Sequence, residues 1–257
     1  MKISEEKIFF SVIMVVHKWG LHTKKAIDSV LSQNYSDFEL IIVDNSKSQN
    51  IDEDLNCYTL IDRVRVIKSL YHHLSYSLNL GASFSLGEYL VRMDDDDISE
   101  PRRFEILNDF LNENPTVDVV GSNAIYIDSK GDVIGNSKVK LPDSSIRREL
   151  ITKCAFIHPS VAIKRQTFFR HGGYLGGLRA QDYDLWLRMS LDKSVVFANL
   201  FENTIRYRIH DNQTKGSRQS YIDGITSQFR FFLAKPSLYL FLVLLARVVR
   251  FFTLVKR

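Results

Sequence analysis

Apolar runs of strand length alternate with segments of helical period through the first hundred residues of the chain. The apolar runs lie at residues 8–16, 38–43, 64–67 and 88–93. Between the first two, residues 23–32 place Ala26, Ile27, Val30 and Leu31 on one face of a helix. Buried parallel strands read as continuous apolar runs, and helices connect them. The pattern therefore predicts an α/β fold with a mostly parallel central sheet and flanking helices.

The fourth apolar run leads directly into four consecutive aspartates, residues 94–97. A helix is predicted to follow, with Ser99 as its N-cap and Pro101 in its first turn. The acidic cluster is thus placed at the carboxyl end of a sheet strand. Open α/β sheets bind their ligands beyond that end of the strands.

Four adjacent carboxylates repel one another and need a compensating cation, solvent or helix N-termini. Oxygen ligands at a strand end suit Mg²⁺ or Mn²⁺ bound together with a diphosphate. The alternative is a solvated acidic turn that leads into a helix. Spacing alone does not decide between these two interpretations.

Charge and composition exclude some classes of protein. The chain has 257 residues, 45% of them hydrophobic, which is enough to bury a full core. Its net charge of +4 comes from residues 224–257, which hold six basic residues and no acidic one. The remaining part is nearly neutral, so no nucleic-acid partner is expected, because such a binder needs a basic face.

The N-terminal segment and the cysteines indicate a reducing compartment. Cys57 and Cys154 are too few for a disulfide framework or a thiolate metal site. Residues 8–16 lack a small-residue cleavage site and are interpreted as a strand, not a signal peptide. We therefore expect a cytoplasmic location.

The C-terminal segment, residues 233–257, is predicted to form an amphipathic, membrane-associating helix. Residues 238–246 carry no charge, but Arg247 and Arg250 interrupt the run before it reaches the length of a membrane span. With Arg257 they share one helical face, the arrangement of a helix lying in a lipid interface. The alternative is a helix packed on the protein's own core or on a homodimer partner.

Nine ordered motifs between residues 11 and 210 resemble the blocks of family 2 glycosyltransferases. They are residues 11–14 (SVIM), 26–35 (AIDSVLSQNY), 38–44 (FELIIVD), 78–81 (LNLG), 87–98 (GEYLVRMDDDDI), 158–160 (HPS), 172–174 (GGY), 181–188 (QDYDLWLR) and 207–210 (YRIH). Each motif alone is weak, but their shared order makes a chance match improbable. The resemblance implies a GT-A fold, a nucleotide sugar donor, a Mn²⁺ or Mg²⁺ cofactor and inversion at the anomeric carbon.

By this resemblance, Asp94 and Asp96 form the DxD motif, with Asp96 on the metal and Asp94 toward the ribose and the metal. His210 matches the family position that completes the metal or diphosphate site. Asp182 matches the general base that deprotonates the acceptor hydroxyl. From the residues alone, Asp182 also suits the N-cap of the helix that follows it. The role of Asp95 is left open.

The resemblance also assigns residues to the two substrates. His17, Asp44, Asn45 and Asn79 are predicted to line the nucleotide pocket. His17 and Asn45 replace the family's usual residues, but an asparagine amide still offers an acceptor to uracil, so UDP is expected. His158 and Gln181 are predicted on the acceptor side, where Gln181 replaces the family's usual glutamate.

We thus expect one GT-A domain over residues 1–232, with a nucleotide-binding half (1–98) and an acceptor-binding half (99–232). Its function would be transfer of a UDP-linked sugar to a saccharide acceptor, lipid-linked at the inner face of the cell membrane, in surface polysaccharide assembly. The alternatives are a catalytically silent glycosyltransferase-like scaffold and, less well supported, a nucleotidyltransferase. The latter needs a glycine-rich basic loop after the first strand, and residues 17–20 are too poor in glycine.

Overall fold

The computed structural model describes residues 9–47, 51–175, 177–210 and 218–255. Its strands are β1 (Phe10–Val16), β2 (Phe38–Asp44), β3 (Val64–Lys68), β4 (Tyr89–Met93), β5 (Ile98–Ser99), β6 (Val119–Ile127), β7 (Val133–Asn136), β8 (Ala162–Lys164) and β9 (Phe197–Arg208). Its α-helices are α1 (Leu21–Leu31), α2 (Ile51–Asn56), α3 (Leu74–Ser83), α4 (Arg103–Glu113), α5 (Asp143–Leu150), α6 (Arg165–Arg170), α7 (Gln181–Leu191), α8 (Arg218–Ala234) and α9 (Leu238–Val255). Short 3₁₀ helices cover Cys57–Leu60 and His158–Ser160.

The strands form one sheet in the order β3-β2-β1-β4-β8-β6-β9-β5, and β7 pairs with β6. The first four strands pair in parallel, so their carboxyl ends share one edge. The second half is mixed: β8 runs antiparallel to β4 and β6, whereas β6 and β9 are parallel. The predicted parallel arrangement therefore describes the nucleotide-binding half best.

Both faces of the sheet are covered. Alternate residues of β1 point to opposite faces, with Val12 and Met14 in one buried cluster and Ile13 and Val15 in the other. The first cluster packs against α1 and α4, and the second includes residues of α3, α5 and α7. Trp186 of α7 is fully buried in the second cluster, as expected of a core residue.

The segment after the acidic cluster differs from the prediction. Ser99 is not an N-cap: it belongs to β5, where it pairs with β9, and α4 begins only at Arg103. The Ser99 amide donates to the Ser29 hydroxyl at 3.0 Å, and the Gln33 amide donates to the Ser99 hydroxyl at 3.2 Å. Ser29 belongs to α1 and Gln33 follows it, so these two bonds hold Ser99 in the extended conformation. The four aspartates consequently form a turn between two strands.

The C-terminal helix begins later than the predicted residue 233: α9 starts at Leu238, and α8 ends at Ala234. Pro236 lies between α8 and α9, and proline ends helices because it lacks an amide N–H. The two helices pack on each other, and α8 packs on α7. Phe231 and Leu240, from either side of the predicted boundary at residue 233, lie in the same core cluster. Among the described residues, no helix is long and apolar enough to cross a membrane.

Arg247 does not lie on an outward-facing basic face, so that part of the prediction is wrong. Its guanidinium stacks over the Tyr183 ring of α7 at 5.2 Å. A Cβ on Gly224 of α8 would come within 2.9 Å of Arg247 Nη2, which shows how closely the two helices approach there. Arg250 is exposed, and Arg257 lies outside the described residues.

Candidate active site

Three of the four consecutive aspartates form a compact carboxylate cluster just beyond the end of β4. Asp94, Asp96 and Asp97 each offer an oxygen within 4.8 Å of the others. His210, two residues beyond β9, places Nε2 3.0 Å from Asp96 Oδ2. The sheet therefore brings His210 next to Asp96 in the acidic cluster, although the two are 114 residues apart in sequence. This proximity is what their predicted common role requires.

Asp97 is the buried member of the cluster, and sequence reasoning assigned it no role. Its side chain is 1% exposed, and its Oδ1 accepts the Arg208 amide at 2.7 Å. Its Oδ2 is buried and has no hydrogen-bond partner among the described residues. Burial and the neighbouring Asp94 and Asp96 raise the pKa of Asp97 well above its ordinary value. An orphaned oxygen in an all-oxygen cluster fits a hard divalent cation.

Arg92 of β4 provides a buried positive charge beneath the cluster. Its guanidinium pairs with Asp94 and also donates to the Ile13 carbonyl of β1 at 3.3 Å. Burial raises the pKa of Asp94, and Asp96 adds to the effect, whereas Arg92 opposes it. Arg92 thus joins the acidic turn to the centre of the sheet.

Asp95 connects the acidic turn to the loop after β1. Its carboxylate accepts a hydrogen bond from the backbone amide of His17. Burial and the adjacent Asp96 and Asp94 raise the pKa of Asp95 to about 7. The residue whose role the sequence left open thus helps position the predicted nucleotide loop.

The predicted nucleotide residues gather where β1 and β2 end. Nδ1 of His17 lies 3.2 Å from the Asn45 carbonyl oxygen. Asp44 is buried; its Oδ1 accepts the Ser46 amide at 2.8 Å, and its Oδ2 lies 3.6 Å from Lys68 Nζ. The Asn45 Oδ1 is buried without a partner among the described residues. This buried acceptor therefore lacks the hydrogen bond that buried polar atoms usually make.

His72 is a further residue of this corner that sequence reasoning missed. Its Nδ1 lies 2.9 Å from the same Asn45 carbonyl oxygen that His17 contacts. The residue precedes α3 and carries no motif, since it is one of two adjacent histidines in an unremarkable loop. Only the three-dimensional pairing of β2 with β3 places it here.

Asp182 lies in the first turn of α7, where helix amides are unpaired. Its alternative interpretation as N-cap is wrong, because Ala180 occupies that position. The carboxylate accepts hydrogen bonds from backbone amides, including that of Tyr183, and from the thiol of Cys154. Burial raises the pKa of Asp182 above its ordinary value, the hydrogen bonds oppose the shift, and Asp94 contributes to it. Asp182 and the acidic cluster therefore share one electrostatic environment.

The predicted acceptor-side residues surround a glycine-containing loop before α7. Gly173 adopts a φ of +62°, and a Cβ there would come within 2.6 Å of Asn79 Oδ1. The next residue, Tyr174, contacts His158: its hydroxyl oxygen lies 2.8 Å from His158 Nε2. Gln181 is buried next to Asp182, and its Oε1 has no partner among the described residues. Gln181 thus lies next to the candidate base, whereas His158 contacts Tyr174 of the preceding loop.

Asn79 lies at the junction of the two halves. Its Nδ2 donates to the Tyr174 carbonyl and its Oδ1 accepts the Tyr174 amide, both at 2.9 Å. Arg188 of α7 fixes the same loop by donating to the Gly173 carbonyl at 2.6 Å. The structure therefore shows Asn79 holding Tyr174, and its predicted contact with the nucleotide stays a prediction.

A mixed α/β sheet with an acidic cluster beyond one strand end and a half-buried aspartate at the start of α7 has the architecture of an α/β enzyme. The model of the family "Glycosyl transferase family 2" matches residues 11–182. The O-antigen biosynthesis glycosyltransferase WbnJ of Escherichia coli is 35% identical over 236 residues, covering 90% of this chain and 92% of the relative. The chain therefore belongs to glycosyl transferase family 2.

Two further proteins extend the comparison. The UDP-Gal:alpha-D-GlcNAc-diphosphoundecaprenol beta-1,3-galactosyltransferase of E. coli is 27% identical, covering 90% of this chain and 86% of that protein. The crystal structure of S. aureus TarS 1-349 in complex with UDP-GlcNAc superposes with a TM-score of 0.74 at 15% identity, covering 95% of this chain and 73% of that one. This likeness confirms the predicted α/β GT-A fold.

Proposed function

We propose that this glycosyltransferase moves a sugar from a UDP-linked donor to a hydroxyl of a lipid-linked saccharide, with inversion of the anomeric carbon. The observation that carries the proposal is the placement of Asp182. Its half-buried carboxylate lies in the first turn of α7 and interacts electrostatically with Asp94 of the acidic cluster. A base and an acidic metal-type cluster facing one site are what a single-displacement transfer requires.

In the proposed step, the acceptor oxygen attacks the anomeric carbon as Asp182 takes the proton from the acceptor hydroxyl. The bond between that carbon and the diphosphate oxygen breaks, and its electron pair leaves with the diphosphate. A base with a pKa raised toward the working pH accepts the proton more readily than an ordinary aspartate does. The burial of Asp182 supplies this shift.

Asp94, Asp96 and Asp97 would hold the divalent cation, Mn²⁺ or Mg²⁺, with His210 beside Asp96. When bound, such an ion neutralises charge on the diphosphate. The nucleoside would lie at the ends of β1 and β2, where His17, Asp44 and Asn45 are found. There the buried Asn45 Oδ1 can accept the imide N–H of uracil.

The acceptor would approach from the side of His158 and Gln181. The unpartnered Oε1 of Gln181 can accept a hydrogen bond from a sugar hydroxyl next to Asp182. Of the relatives, one is an O-antigen glycosyltransferase and another acts on GlcNAc-diphosphoundecaprenol. These names support a lipid-linked acceptor in surface polysaccharide assembly.

The exposed apolar face of α9 supports binding at the inner face of the cell membrane. It consists of Leu238, Phe241, Leu242, Leu245, Val249 and Phe252, each 47–74% exposed. Their spacing of three, four and seven residues forms one stripe along the helix. Arg230 and Arg250 are exposed on the same helix pair, where they can meet anionic headgroups. A second copy of the chain is the alternative occupant of this stripe.

The donor site is tested by measuring binding of UDP, GDP, dTDP and CDP with and without Mn²⁺, to the wild type and to Asp96→Ala. We expect Mn²⁺-dependent binding of UDP that the variant loses. Asp182→Asn should keep UDP binding and lose turnover by roughly 10²–10⁴-fold, the usual contribution of a general base. Absence of nucleotide binding in every arm would favour the silent scaffold.

The membrane surface is tested by flotation of Leu245→Glu and wild-type protein with vesicles of phosphatidylethanolamine and phosphatidylglycerol. The glutamate places a charge in the middle of the stripe, so the variant should stay in the soluble fraction while the wild type floats. If the wild type does not float and its mass doubles with concentration, the stripe is a dimer interface instead.

A further inference from the structure

Cys154 lies directly against the candidate base, although 28 residues separate the two in sequence. Its Sγ is 3.7 Å from Oδ2 of Asp182 and 3.4 Å from the Phe156 carbonyl oxygen. A thiol has one proton to donate. A carboxylate accepts it more strongly than a neutral carbonyl does, because the acceptor is charged.

Three neighbouring hydrogen bonds support this contact by tying the segment before Cys154 to α7 and α8. The Tyr183 hydroxyl donates to the Leu150 carbonyl at 2.7 Å, at the end of α5. The Gln228 amide donates to the Ile151 carbonyl at 2.7 Å and to the Tyr183 hydroxyl at 3.0 Å. The loop that carries Cys154 is thus held by the residue next to Asp182.

We propose that Cys154 is a positioning residue for the general base: its thiol donates to Oδ2 of Asp182 and leaves Oδ1 to receive the acceptor proton. The inference rests on the proposed function of Asp182. A backbone amide and a thiol hold the carboxylate in one orientation, and a fixed base lies closer to the geometry that proton transfer needs.

The thiol also contributes to the pKa of Asp182, together with the other groups around the carboxylate. The backbone amide of Tyr183 and the thiol stabilise the carboxylate, whereas burial and the negative charge of Asp94 disfavour it. Tyr174 of the preceding loop and Tyr207 of β9 also interact electrostatically with Asp182, and both phenols remain neutral because burial raises the pKa of each. Loss of the thiol proton should therefore raise the pKa of Asp182 further.

The experiment measures kcat/KM against pH for the full-length protein with Cys154→Ala and Cys154→Ser. Cys57→Ala is the matched control, since Cys57 is exposed and contacts the Asp54 carbonyl far from the site. Activity needs the ionised base, so the acid limb for Cys154→Ala should move up by about 0.5 pH unit, roughly threefold in the ionisation ratio. Cys154→Ser keeps a donor and should restore the wild-type limb, while UDP binding stays constant throughout.

A second measurement covers the case in which Cys154→Ala fails to fold. Methyl methanethiosulfonate on folded Cys57→Ala enzyme replaces the thiol proton of Cys154 by a methylthio group. The same upward shift of the acid limb is expected, and reduction should reverse it. Unshifted limbs in both experiments, with Asp182→Asn inactive, would refute the role of Cys154 alone. Full activity of Asp182→Asn would instead refute the proposed function of Asp182 as the general base.

Discussion

The guanidinium of Arg247 stacks on the ring of Tyr183, with 5.2 Å between the guanidinium carbon and the ring centroid. Tyr183 follows Asp182 in α7, so the last described helix of the chain contacts the residue next to the candidate base. Nη1 of Arg247 is buried without a hydrogen-bond partner among the described residues, and the contact of the guanidinium with Tyr183 compensates in part for its burial. The C-terminal helix therefore supports the site as well as presenting an apolar surface.

Arg247→Met and Arg250→Ala should consequently impair different properties, the first catalysis and the second membrane binding. Arg247→Met removes the stacking charge and should lower kcat about tenfold, an effect of roughly 1.4 kcal/mol, while flotation with vesicles stays unchanged. Arg250→Ala removes an exposed charge and should weaken flotation with anionic vesicles while kcat on a water-soluble acceptor stays constant. UDP binding serves as the folding control for both variants. Equal loss of flotation in the two variants would contradict the inward role of Arg247.

Asn79→Ala should separate a role in nucleotide binding from a role in holding Tyr174. The substitution removes both hydrogen bonds to the Tyr174 backbone and should destabilise the protein by about 1–3 kcal/mol. We expect kcat to fall while the Kd for UDP stays within about twofold of the wild-type value. Asn45→Ala is the comparison, and there the Kd for UDP should rise. Loss of UDP affinity in Asn79→Ala would instead support the prediction that Asn79 lines the nucleotide pocket.

His210→Ala should weaken metal binding without changing the nucleoside site. Its Nε2 contacts Asp96, so the substitution removes a ligand or the partner that orients one, typically worth 10–100-fold in affinity. The Mn²⁺ concentration giving half-maximal UDP binding should therefore rise by about tenfold or more. His171→Ala is the control, because His171 contacts the Thr167 carbonyl far from the cluster. An unchanged Mn²⁺ dependence in His210→Ala would exclude it from the site.

The sequence predicted the nucleotide-binding half well because buried parallel strands leave a strong pattern. β1 and β2 are buried throughout and mostly apolar, and the acidic turn follows β4 where the pattern placed it. In contrast, β9 mixes buried residues with exposed ones such as Glu202, so no continuous apolar run marks this strand in the sequence. Contacts such as Cys154 with Asp182 join residues whose spacing carries no periodic signal. The inward direction of Arg247 likewise depends on how α9 packs on α8, which composition does not encode.

The contact of His158 with Tyr174 predicts how stability depends on pH. Burial, aided by the positive charge of Arg92, holds the pKa of His158 well below 6.5, so the folded protein keeps this imidazole neutral. The unfolded chain protonates it as the pH falls through about 6.5. The unfolded state then binds a proton that the folded state does not. The free energy of unfolding therefore decreases as the pH decreases, by up to about 1.4 kcal/mol per pH unit.

His158→Gln removes the titration and isolates this contribution. The raised pKa values of Asp94, Asp97 and Asp182 contribute the opposite pH dependence, because the folded state binds these protons at a higher pH than the unfolded state does. This contribution is the same in the wild type and in His158→Gln. Urea titrations should give the wild type a higher free energy of unfolding than His158→Gln, and this difference should be largest at pH 7.5. Its advantage over His158→Gln should shrink by about 1.4 kcal/mol at pH 5.5, where the unfolded imidazole is mostly charged. A constant difference between the two proteins across this range would show that His158 takes up its proton equally well when folded.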